Sequence, residues 1–76
     1  MKSNELKEKL QQLGIPVYLY NLDGIGRTDE RLCLEFSDNK WHVYYNERGV
    51  KTTDKIFASE DAACEYIYFH FLSAFK

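Results

Sequence analysis

The residues of this chain able to carry chemistry are few: Cys33 and Cys64, His42 and His70, and the run Gly24-Ile25-Gly26. The glycine pair has a phosphate-binding look, but a third glycine and a following helix are missing, and a loop between strands aims no helix amides at phosphate. It reads as a turn. Zinc takes three or four ligands, and the one ligand-type neighbour that either histidine acquires is Glu35, across a hairpin from His42. A thiol nucleophile needs a base within hydrogen-bond reach, and His42 stands only diagonally from Cys33. The two cysteines lie in no CxxC or zinc-type spacing and fit small hydrophobes kept reduced. With no nucleophile, base and orienting group converging, the residues point to a protein without catalysis, metal or cofactor.

Composition narrows the field further. A chain of 76 residues makes one domain, residues 1–76, close to the smallest size at which an apolar core folds without metals or disulfides. Its 45% hydrophobic and 16% aromatic content supplies a dense core and argues against disorder. Ten Lys and Arg against twelve Asp and Glu leave a net charge of -2. That balance provides no basic field for a phosphate backbone, so no direct nucleic-acid partner is expected. No charged and apolar leader opens the sequence, and no run reaches the roughly eighteen apolar residues of a membrane span. The expectation is a cytoplasmic protein that does not enter a membrane.

The elements that must position these residues follow from periodicity. Leu6, Leu10 and Leu13 mark an amphipathic helix over about 4–13, with Ser3 or Asn4 as its cap, Gly14 in the left-handed position after it, and Pro16 preventing its continuation. Val17 to Leu22 reads as a strand, and Asp23-Gly24 with Gly26 as a loop. A second strand runs over 30–36 and a third over 40–46. If Asp38 and Asn39 form the turn between them, Phe36 meets Trp41, Leu34 meets Val43 and Leu32 meets Tyr45, so the apolar residues share one face. The same register sets Glu35 against His42 and Cys33 against Tyr44 on the other face. A turn at 46–49 leads to an edge strand around 50–57. Ser59, Glu60 and Asp61 then signal the start of a helix over about 60–75, whose Ala63, Cys64, Ile67, Tyr68, Phe71 and Leu72 make a broad apolar stripe. The predicted fold is α+β: an α-β-β-β-α order with a three- to four-stranded antiparallel sheet and both helices on one face.

That arrangement leaves a second sheet face bearing Tyr18, Tyr20, Cys33, Glu35, His42 and Tyr44. Tyrosine and histidine among carboxylates suit a protein interface, because they bury wide apolar area while keeping polar tips. A solvated sheet face stabilised by cross-strand pairs is the alternative. Tyr66, Phe69 and His70 extend past the margin of the helix stripe and open another reading, a homodimeric or ligand-binding module.

Three segments carry a resemblance. Residues 29–35 (DERLCLE), residues 41–49 (WHVYYNERG), and Phe57 followed by residues 59–64 (SEDAAC) resemble small bacterial immunity proteins of polymorphic toxin systems, including those of contact-dependent growth inhibition. The resemblance spans about two thirds of the chain. It implies a cytoplasmic antitoxin that binds and neutralises the toxic C-terminal domain of a cognate effector, commonly a nuclease with a basic cleft. By that resemblance Asp23, Asp29, Glu30, Glu35, Asp38 and Glu47 would enter the cleft, and the sheet face read above from alternation, with Tyr18, Tyr20, His42 and Tyr44, would complete the contact surface.

Overall fold

A computed structural model of the chain describes residues 1–22 and 30–74. Helix α1 spans Ser3–Gln12, strand β1 Tyr20–Asn21, β2 Arg31–Ser37, β3 Lys40–Glu47, β4 Val50–Phe57 and helix α2 Glu60–Ala74. The four strands form one sheet in sequence order. Leu6 and Leu10 of α1, Leu32, Leu34 and Val43 of the sheet, and Ala63, Cys64, Ile67 and Phe71 of α2 share a single buried core. Both helices therefore lie on one face of the sheet, as the side-chain alternation requires.

The end of α1 explains why Gly14 follows it. Gly14 has φ 78°, its N–H donates to the Gln11 carbonyl, and the Ile15 N–H donates to the Leu10 carbonyl, each at 3.0 Å. These two bonds satisfy carbonyls the helix leaves over, and a left-handed glycine makes them possible. The start of α1 departs from expectation. The N-cap position falls on Lys2, whose side chain makes no cap bond; Asn4 Oδ1 accepts the Glu5 N–H at 2.9 Å, and Glu60 Oε2 of α2 accepts the Ser3 N–H at 2.8 Å. The Lys2 ammonium lies 3.8 Å from the other Glu60 oxygen, and the Met1 amine pairs with Asp61. A carboxylate is favourable at the positive end of a helix, and Glu60 serves that role for α1 from the first turn of α2. For α2 itself the expected cap holds: Ser59 Oγ accepts the Ala62 N–H at 3.2 Å.

The central hairpin has the register read from the sequence. Asp38 and Asn39 take φ 55° and 61°, the pair of positive angles that a two-residue hairpin turn needs. Leu32 then pairs with Tyr45, Leu34 with Val43, Phe36 with Trp41, Cys33 with Tyr44 and Glu35 with His42.

One feature differs from the sequence reading and a second fixes a register that the sequence leaves open. Residues Val17–Leu19 form a 3-10 turn rather than a strand, closed by the Leu19 N–H on the Pro16 carbonyl at 3.1 Å, and only Tyr20–Asn21 remains extended. That short strand runs parallel to β2, with Tyr20 opposite Leu32, so the sheet is mixed rather than wholly antiparallel. The second feature is a bulge in β4. Near its turn, formed by Arg48 and Gly49 at φ 51° and 81°, Asn46 pairs with Lys51 and Tyr45 with Thr52. Beyond the bulge Val43 pairs with Lys55, His42 with Ile56 and Trp41 with Phe57. An extra residue in one strand exchanges the faces of all that follow. Phe57 is thereby directed to the helix side, where its ring meets Tyr66 at 5.4 Å, and Ile56 to the opposite side.

Candidate partner-binding face

The sheet face turned away from the helices is built by alternate residues of three strands. Glu35 of β2, His42 of β3 and Ile56 of β4 are successive cross-strand partners and form one row. Glu35 is exposed and Ile56 is 55% exposed. The bulge also sets Asp54 beside this row: its Oδ1 lies 3.8 Å from His42 Nδ1, an ion pair when the imidazole is protonated. His42 Nε2 is buried without a hydrogen-bond partner among the described residues.

The neighbouring row is closed to solvent. Cys33 and Tyr44 are 2% and 6% exposed, although the sequence placed both on an uncovered face. The reason is local. Cys33 is small, so the Tyr44 ring can settle beside it, and Lys51 covers the ring with its ammonium 4.5 Å from the centroid. A cation over an aromatic face is held by the ring quadrupole. The phenol reaches the surface row only through its hydroxyl, which donates to Glu35 Oε2 at 3.3 Å and fixes that carboxylate in place.

Burial raises the pKa values of groups in this row and in the core. Tyr44 is pushed from 10.0 up to about 12, first by desolvation and then by the charges of Cys33 and Glu35. Burial likewise lifts Cys33, and it lifts Cys64 from 9.0 to about 11, with the Glu60 carboxylate adding to the effect. Groups with raised pKa values keep their protons in the fold after the unfolded chain has released them. Their stabilisation is complete below the unfolded values and is lost as pH rises through the folded ones. Folding stability should thus fall from about pH 9 to 11 through Cys64 and from about pH 10 to 12 through Tyr44. Urea melts across this range should show a loss on the order of 2 to 3 kcal/mol from each group, and Tyr44→Phe should remove the upper part of it. A flat profile would mean that neither group is buried in solution.

The other residues singled out in the sequence are scattered. Tyr20 is 5% exposed and sits in the helix-side core, its ring edge-on to Phe71 at 6.1 Å; the outward orientation expected of it fails because the 3-10 turn rotates it inward. Tyr18 is 63% exposed, but on that turn and not on a shared strand face. Glu30 and Glu47 are both exposed at the end of the sheet where the Glu30 N–H donates to the Asn46 carbonyl. Asp23 and Asp29 lie outside the described residues. Cys64 is fully buried on the helix side and Cys33 on the other, so the two thiols lie apart and are not joined in a disulfide. Asp54 and Ile56 were missed in the sequence because the face each occupies depends on the bulge, and Lys51 because its pairing with Asn46 depends on the Arg48-Gly49 turn.

Among the described residues no three His, Cys, Asp or Glu side chains group as metal ligands do. No helix among them is long and apolar enough to cross a membrane. Comparison with family models, curated proteins and solved structures finds no match to this chain.

Proposed function

We propose that the chain is a bacterial immunity protein: a cytoplasmic, non-enzymatic inhibitor that binds the toxic C-terminal domain of a cognate effector, a nuclease, through the sheet face opposite its helices. The observation that carries this reading is the row Glu35, His42, Ile56 with Asp54 beside it, where an exposed apolar side chain is flanked by two carboxylates on a rigid hairpin. Interfaces concentrate energy in apolar contacts ringed by polar groups. The carboxylates match a basic, substrate-binding cleft, and charge of that kind raises the rate of encounter more than the final affinity. Lys51, stacked on Tyr44, keeps its positive charge and offsets part of this acidic surface. The resemblance of residues 29–35, 41–49 and 57–64 to immunity proteins supplies the partner class, and Glu30 and Glu47 add acidic surface at one end of the same hairpin.

Co-expression with the effector domain encoded beside this chain tests the reading: growth should be rescued and the two proteins should purify together. Persistent toxicity without complex formation would exclude it. The second reading, a self-associating module, is favoured by a different surface on the helix side.

A further inference from the structure

We infer that the aromatic surface on the helix side pairs two copies of this chain, each inserting Phe36 into a groove on α2 of the other. The surface is continuous. Phe36 stacks on Trp41 at 4.8 Å, Trp41 is the cross-strand partner of Phe57, and Phe57 meets Tyr66 at 5.4 Å. Tyr66 is in turn the first wall of a groove of about 450 Å³, completed by Phe69, His70, Ser73 and Ala74.

The surface is bare because of how α2 crosses the sheet. Its Tyr66 packs over the end of β4 and its Phe71 over Tyr20 of β1, so the helix runs diagonally and leaves the tip of the β2–β3 hairpin beyond its edge. Phe36 consequently shares the core face and yet remains 55% exposed, while Phe69 on the groove is 60% exposed. In a chain that is 29% charged, neither the Phe36–Trp41 pair nor any of the five groove residues is Lys, Arg, Asp or Glu. Such a surface suits an occupant that presents an apolar ring to it.

A second copy meets these requirements by self-complementarity. A two-fold interface joins a patch to itself, and here one patch carries both a projecting ring and a groove able to receive one, so a symmetric pair fills both grooves at once. The accessible parts of Phe36, Trp41, Tyr66 and Phe69 come to roughly half of the ~800 Å² per partner in a stable complex. The dimer is therefore reversible and concentration-dependent. It leaves Glu35, His42 and Ile56 on the opposite side of the sheet free, so this inference does not rest on the partner proposed above.

Sedimentation velocity of the purified chain from micromolar to millimolar concentration decides the matter. The wild type should move from monomer to dimer over that range, and Phe36→Ser or Phe69→Ser should each hold it monomeric. Val17→Ser, which removes an equally exposed apolar side chain elsewhere, should leave association unchanged. Mixing the Phe36→Ser and Phe69→Ser proteins should recover part of the dimer, because the mixed pair retains one intact ring and groove where neither variant alone retains any. A wild type that stays monomeric at millimolar concentration would overturn the inference, as would association insensitive to both serine variants or mixing without recovery.

Discussion

Phe71→Ala should lower stability by about 3 to 5 kcal/mol, the range for removing a buried aromatic ring. Phe71 is 4% exposed and lies in the one core that joins the sheet to α2. Its ring stands at 69° to that of Tyr20, an edge-to-face geometry that adds to area burial. The loss is comparable with the whole stability of a domain this small, about 4 to 11 kcal/mol at 0.05–0.15 kcal/mol per residue. Toward the lower end of that range the variant would be largely unfolded at physiological temperature. Phe69→Ala is the control, on the same helix but 60% exposed, and should change stability by no more than about 0.5 kcal/mol. Urea melts followed by circular dichroism measure both. Equal, small effects would mean that α2 does not present Phe71 to the core.

The parts of this fold legible in the sequence are those where two independent signals agree. For the β2–β3 hairpin, turn chemistry at Asp38-Asn39 and the alternation of Leu32, Leu34, Trp41 and Val43 select the same register. The two helices were readable for a similar reason, since Gly14 and Ser59 mark boundaries that the apolar periodicity also requires. Where one signal stood alone the reading failed. Val17 to Leu22 has strand-forming residues, but Pro16 begins a 3-10 turn, and Tyr20 is drawn inward by the space beside Phe71.

The β4 register shows a different limit. Ile56 and Phe57 are both apolar, so alternation does not say which faces the core. Continuing the pairing set by Arg48-Gly49 would put Ile56 against Trp41 and send Phe57 outside. The bulge reverses this, and what it gains is visible only in three dimensions: the Phe57 ring against Tyr66. Tyr44 illustrates a third case. Alternation assigned its face correctly, but burial on that face depends on the small neighbour Cys33 and on Lys51 across the bulged strand. Truncating Tyr44 would mix loss of folding with loss of binding, so it is unsuited to testing the interface.

The variants that do isolate the interface are Glu35→Lys, Asp54→Lys and Ile56→Ala, all at exposed positions. Covering the exposed half of Ile56, on the order of 100 Å², is worth about 2 to 3 kcal/mol at ~25 cal/mol/Å². Its truncation should weaken toxin binding by most of that. Glu35→Lys reverses a charge that Tyr44 holds in position at 3.3 Å, and a reversed charge against a basic cleft leaves two like charges to be desolvated together. The expected loss is about 2 kcal/mol or more, roughly a thirtyfold weaker complex. Stability should fall by about 1.5 to 3 kcal/mol at most, the worth of a hydrogen bond to a charged group, which is what Tyr44 loses. Titration calorimetry of each folded variant against the cognate toxin domain measures the first quantity and urea melts the second. Raising the salt concentration should slow association with the wild type and have much less effect on Glu35→Lys, because steering depends on the charge that variant removes. Unchanged affinity in all three variants would take this face out of the toxin complex. The Phe36 and Phe69 surface would then be the next to test, by the same calorimetry on the serine variants.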